Sequence, residues 1–213
     1  IAEQITITDY HQFSKIHNRE FLNKVWKGNK NKNNDNNGNN NNNNVDMSAD
    51  NYCQNLKGMI DRFNRIHKYV ILLIIYATNI NKRVLLIQFW INMAGYLLQL
   101  NNYFSLMAVF SALDSIAISK LKIAWLRVNK KHIGSFKNLG IVCDARGNFK
   151  SMRKLMEKCI SNKTASIPYI GVFLSDLTFV NEGASSRQVN GLFNFKKFER
   201  FSERCETLQK LQQ

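Results

Sequence analysis

Apolar residues recur every three or four positions along most of this chain, the spacing that lines one face of a helix. Ile5, Tyr10, Phe13 and Ile16 predict a first helix over residues 1–16, with a new cap available near Thr8 and Asp9. Phe21, Leu22, Val25 and Trp26 predict a short second helix after Asn18. Helical patterning resumes at residue 51, and Met59, Ile60, Phe63, Ile66 and Val70 mark its inner face. Val84, Ile87, Ile91, Ala94 and Leu98 form the stripe of a helix opened by Asn81. Leu106, Met107, Val109, Phe110 and Leu113 belong to the next, over residues 103–113. Ile118, Leu121, Trp125 and Val128 continue the series as a single helix, whereas residues 129–140 are basic and sparse in apolar groups and receive no helix. Asn148 then caps a short helix packed through Phe149, Met152, Leu155, Met156 and Ile160. A long final helix begins at Val189 or Asn190 and carries Phe198, Phe201, Cys205 and Leu208 as its stripe.

One stretch is ambiguous by composition. Residues 166–183, SIPYIGVFLSDLTFVNEG, hold the chain's single proline and the β-branched Ile170, Val172, Thr178 and Val180, which suit a strand. Spacing decides for helix, because Ile170, Phe173, Leu174 and Leu177 fall at i, i+3, i+4 and i+7. Ser166 is placed as its N-cap, Pro168 in its first turn and Gly183 just past its end. No strand is assigned anywhere, so the expected fold is all-α.

Residues 28–44 are asparagine at twelve of seventeen positions, with no apolar side chain to offset the entropy of ordering them. They read as a disordered insert in one domain rather than a linker between two, since a surface loop tolerates long insertions at modest entropic cost. At 213 residues and 45% hydrophobic composition the chain suits one sizeable core. It begins at Ile1 and stops in the polar run ETLQKLQQ, and so reads as a segment of something longer.

Charge adds a partner class. The net charge is +15, and residues 119–158 hold eleven Lys or Arg against Asp144 and Glu157. An anionic partner would suit that patch: nucleic acid, an anionic membrane leaflet or an acidic protein surface. The four cysteines show no C-x-x-C pair and do not combine with the four histidines at metal-ligand spacing, so reduced thiols and no metal site are expected. His67 is expected to be structural. The apolar run at residues 69–77 is well short of the ~20 residues of a membrane helix and is assigned to the core.

The strings carry a family resemblance. LNNYFSLMAVFSALDSIAISKLKIAW, at residues 100–126, resembles the signature of the RasGEF catalytic domain, and SIPYIGVFLSDLTFVNEG is similar to that family's "IP.LG.YL.DLTFIEEGNP". Four further pieces fall in the family's order: IAEQITITDYHQFSKI with REFL, MIDRFNRI, NFKSMRKL and GLFNFKKFERFSE. The resemblance implies a single all-helical domain over residues 1–213 that accelerates GDP release from a Ras-type small GTPase. A protruding hairpin, about residues 168–205, would pry the nucleotide site open.

By the same resemblance, Thr178 intrudes on the GTPase's metal position, Glu182 directs a carboxylate at the groups holding metal and phosphate, and position 114 joins them in the catalytic set. The GTPase would be held by Met107, Phe110, Ser111, Ser119, Phe149, Tyr169, Gly171 and Arg200. Met107 and Phe110 have core packing as their plain alternative, and Gly171 a close helix approach. No cofactor belongs to the chain, because Mg and GDP or GTP belong to the partner, and no covalent step is implied. The basic face fits peripheral contact with anionic membranes, in a cytoplasmic protein recruited where its GTPase is anchored, and nucleic acid is not expected.

The chain also departs from the family pattern. Asp114 stands where Asn is common, Asn181 replaces a frequent acidic residue, and Ala184-Ser185 replaces Asn-Pro. Asp114 makes a relative that binds a GTPase with weak exchange one alternative, and charge alone supports the other, a basic helical nucleic-acid module.

Overall fold

The computed structural model describes residues 1–21, 53–187 and 192–212. Ten α-helices and no strand occur among them, in agreement with the all-α reading; Asn102–Ile167 and Arg187–Phe193 are isolated bridges. The asparagine-rich insert, together with Leu22, Val25 and Trp26 of the expected second helix, lies outside the described residues.

The central element is α4 (Tyr103–Leu113), in which nine of eleven residues are buried. It packs against α2 (Gln54–Ile75) and α3 (Ile80–Gln99), and α1 (Ala2–Phe13) lies across all three. Leu56, Met59, Val70, Ile74, Ile87, Ile91, Leu97, Leu106 and Leu113 build one continuous core. α1 is unbroken at Thr8-Asp9, because Asp9 is a fully buried anchor rather than a cap. Its carboxylate accepts from Arg62 Nε on α2, from Asn102 Nδ2 at 2.8 Å and from Ser105 Oγ on α4. A buried carboxylate is tolerated only when its oxygens are satisfied in this way.

Asn102 works in both directions. Its Oδ1 accepts from Ser105 N at 3.0 Å and caps α4, while its Nδ2 holds Asp9. Glu20, also buried, accepts from Leu56 N at 2.8 Å and from Asn55 Nδ2 at 3.0 Å, placing a carboxylate on the first turn of α2. The segments before residue 22 and after residue 52 are thereby joined directly.

Several boundaries differ from the sequence expectations. Asn79, not Asn81, caps α3, accepting from Asn81 N at 2.8 Å. The expected single helix after Ser115 is two, α5 (Ile116–Ser119) and α6 (Lys122–Arg127); Leu121 leaves the helical region at ψ 57°, and Trp125 Nε1 donates across the break to Ile118 O at 2.9 Å. Residues 129–140 are not irregular. They lie in α7 (Lys130–Val142), capped by Asn129 and packed through Ile133, Phe136 and Leu139.

Nor is the run at residues 69–77 wholly core. Val70, Ile74 and Ala77 are buried, but Tyr69, Leu72, Ile75 and Tyr76 are exposed, because one helix can turn only one face inward. Among the described residues no helix is long and apolar enough to cross a membrane.

The Asp9 network gives the first prediction. Asp9→Ala leaves Arg62, Asn102 and Ser105 without their acceptor and should lower unfolding stability by about 3–5 kcal/mol in urea titration. A loss below about 1 kcal/mol, the scale of an exposed pair, would remove Asp9 from the role of anchor.

Candidate functional site

Three arrangements gather most of the predicted site residues. The first is a groove of about 810 Å³ between the end of α4, the second half of α7 and the loop that follows it. Met107, Phe110, Ser111 and Asp114 line it together. Met107 is half-buried and Asp114, the C-cap of α4, is exposed. Phe110 is largely a core residue, stacked on Phe136 at 5.2 Å, and Ser111 Oγ lies 2.9 Å from His67 Nδ1 while donating to Ala108 O.

Sequence reasoning missed the basic wall of this groove, Lys137, Arg146 and Lys150. Arg146 is paired with Asp144, and its hydrogen bonds hold that carboxyl below the usual carboxylate range. Lys137 and Lys150 share the lining with Asp114 and the Asp144–Arg146 pair, so the groove carries a net positive charge and suits an acidic partner surface. Cys143 beside it is buried and its thiol is pushed up to about 12 by burial, which rules it out as a thiolate nucleophile at neutral pH.

The second arrangement is an aromatic bracket. Asn148 does not cap α8 (Lys150–Ser161): Asn148 and Phe149 both sit in the left-handed region at φ 57°, with Phe149 in the N-cap position. This turn is costly for a phenylalanine. Arg153 secures it, donating from Nε to Asn148 O at 2.9 Å and from Nη2 to Asn148 Oδ1 at 3.1 Å. The result aims Phe149 edge-on at Tyr169, centroids 5.5 Å apart, while Phe63 contacts the same tyrosine at 5.6 Å.

Tyr169 precedes α9 (Ile170–Gly183) and folds back over its first turn. A Cβ on Gly171 would stand 2.4 Å from Tyr169 Cζ, so the glycine exists for this ring rather than for another helix. The helix starts later than expected. Ser166 is buried without capping anything, and Ile167 bridges to α4, accepting from Tyr103 N at 2.9 Å and donating to Asn101 O at 2.9 Å.

The third arrangement is the hairpin of α9 and α10 (Phe195–Gln212). α10 begins at Phe195, and the earlier start expected at Val189 or Asn190 lies outside the described residues. Asp176 receives both Nη atoms of Arg153 at 2.8 Å and approaches Arg204 of α10 at 3.8 Å. Farther along, Lys197 Nζ donates to Asn181 O at 3.0 Å and Ser186 Oγ at 3.1 Å. Residues rising on one helix thus meet residues falling on the other, which makes the pair antiparallel.

Ile170, Val172, Phe173 and Leu177 anchor the base in the core, whereas Phe179 is 78% exposed, Thr178 half-buried and Glu182 exposed. Arg200 lines a small cleft at this outer end with Phe179, Val180 and Gly183. Ser119, on α5, lines neither the groove nor this cleft.

A family model described as RasGEF domain matches residues 1–199. The chain is 33% identical over 214 residues to "Ras guanine nucleotide exchange factor P" of Dictyostelium discoideum, covering 100% of this chain and 13% of that protein. It is 32% identical to "Ras guanine nucleotide exchange factor W" of the same organism, covering 100% of this chain and 16% of the relative. Against "Ras-specific guanine nucleotide-releasing factor 1" of Homo sapiens the identity is 29%, over 100% of this chain and 15% of the relative. The chain therefore spans less than one fifth of the length of each.

The bracket yields a prediction. Gly171→Ala should cost about 1–3 kcal/mol, as overpacking does, because the added Cβ displaces the Tyr169 ring against its contacts with Phe63 and Phe149. Tyr169→Ala should remove most of that penalty, so a double-mutant cycle by thermal unfolding should show coupling of at least about 0.5 kcal/mol. Additive losses would mean that the ring and the glycine are independent.

Proposed function

The chain belongs to the RasGEF domain family, and from that premise we propose that it accelerates GDP release from a Ras-type small GTPase. The α4–α7 groove and the Phe149–Tyr169 bracket hold the GTPase, and the outer end of the α9–α10 hairpin enters its nucleotide site. The observation that carries this reading is the bracing of the hairpin. Asp176 is tied to α8 by a bidentate arginine and to α10 by Arg204, just before the chain presents Thr178 and Glu182.

Stiffness matters physically. Exchange requires the factor to favour the nucleotide-free partner, and each tenfold in release needs about 1.4 kcal/mol of differential binding. A floppy arm would lose that energy to its own ordering. A braced one spends little of it.

A small GTPase holds its nucleotide through phosphate contacts and a magnesium ion with strict octahedral demands. Thr178 occupies space that the metal's coordination needs, and the Glu182 carboxylate repels phosphate and competes for its donors. Nucleotide and factor then weaken each other's binding reciprocally, so incoming nucleotide expels the factor. The basic groove wall favours encounter with an acidic GTPase surface. Asp114 supports a second reading, binding with weak exchange, because an anion there cannot donate the hydrogen bonds that an amide would.

Glu182→Ala should slow fluorescent-GDP release at least tenfold while lowering unfolding stability by less than about 1 kcal/mol, tested across Ras-, Rap- and Ral-type GTPases. Equal rates with and without the carboxylate on every GTPase that responds would remove Glu182 from the mechanism. The domain should also bind nucleotide-free GTPase more tightly than the loaded form. Equal affinity for the two, measured by titration calorimetry, would favour the weak-exchange reading.

A further inference from the structure

Between Ser115 and Cys143 the chain contains Lys120, Lys122, Arg127, Lys130, Lys131 and Lys137 and no acidic residue. The break between α5 and α6 gives this cationic segment a distinct surface. α6 turns Ala124 into the core and tucks Trp125 inward, its Nε1 bonded to Ile118 O. The opposite face carries Lys122, Ile123, Leu126 and Arg127, which fall within one arc of the helix at i, i+1, i+4 and i+5.

Two aliphatic side chains stand out on that face, Ile123 at 66% and Leu126 at 85% exposure. Beside them a shallow groove of about 580 Å³ runs to the start of α3, lined by Ile80, Lys120, Leu121, Lys122, Ile123 and Arg127. None of Lys120, Lys122 and Arg127 takes part in an ion pair among the described residues. The Asp114 groove and the hairpin use none of these side chains.

We propose that the outer face of α6 is a docking surface for an anionic lipid bilayer. Ile123 and Leu126 enter the boundary between headgroups and acyl chains, and Lys120, Lys122 and Arg127 meet the anionic headgroups around them. Aliphatic tips ringed by cations are the pattern of an interfacial element. Nucleic acid fits less well, because single strands need exposed aromatic platforms and the one aromatic of α6 is turned inward. This proposal does not depend on the exchange activity.

The test is sedimentation of the whole chain with vesicles of phosphatidylcholine containing about 30% phosphatidylserine, at about 0.1 M salt. Each cation near such a surface raises partitioning roughly fivefold, so Lys122→Glu with Arg127→Glu should lower it at least about twentyfold. Lys154→Glu with Lys158→Glu, exposed on α8, makes the same change in net charge and should lower it under about fivefold. Ile123→Ser with Leu126→Ser keeps every charge and should still lower partitioning about tenfold.

Equal losses from the two charge-reversed pairs would overturn the proposal, leaving only a bulk effect of net charge. Unchanged partitioning of the serine pair would overturn the insertion of α6. Release from the vesicles by duplex DNA at equal charge concentration would overturn it in favour of nucleic acid, and no sedimentation with these vesicles would overturn it and leave the face to an acidic protein.

Discussion

A single buried carboxylate constrains much of this molecule. Asp9 comes from the first helix, yet its acceptors are filled by α2 and by both the cap and the first turn of α4. Burying that charge is unfavourable unless all three donors converge, so the network permits one relative placement of three helices and penalises the rest. Hydrophobic burial drives the same helices together but is non-directional, and would tolerate slippage along the stripes. The carboxylate makes the packing specific.

From that point the order passes along a traceable path. Asn102, held by Asp9, caps α4, and the adjoining backbone pairs with Ile167. Two residues later Tyr169 lies between Phe63 and Phe149 and over Gly171, which sets the direction in which α9 departs. Arg153 secures both the strained turn beneath Phe149 and Asp176 on α9. The base of the hairpin is thus tied to the core by aromatic packing and a bidentate ion pair, while its outer end keeps Phe179 and Glu182 in solvent. Rigidity at the base and exposure at the end suit an element whose action is on another molecule.

Charge is distributed by a different logic. Asp144 neutralises Arg146 at the groove, Asp176 takes Arg153, and Asp9 takes Arg62, so the acidic residues that are well placed go to structure. Lys122 and Arg127 of α6 and Lys137 and Lys150 of the groove wall, which form no ion pair among the described residues, remain available to partners.

How much of this was legible beforehand depended on what kind of interaction decided each feature. Periodicity found α4 to the residue and chose helix over strand for α9, because a helix must bury one face and writes that need at intervals of three and four. It failed where the stripe was interrupted by charge, as in α7, whose signal was Asn129 followed by Ile133, Phe136 and Leu139. It also failed where a stripe ran unbroken through a turn, as between α5 and α6.

Through their family resemblance, the strings around residues 100–126 and 166–183 singled out residues of the groove and the hairpin, and Met107, Phe110, Ser111 and Asp114 share one lining. The sequence by itself therefore determined the helical class, a local pattern of side-chain type, while the candidate face rested on the resemblance of those strings to the RasGEF family. The burial of Asp9, the use of Gly171 by Tyr169 and the bracing of Asp176 from two sides were decided only by tertiary structure. Each depends on which distant groups converge on one atom or one ring, and spacing along a chain carries no record of that.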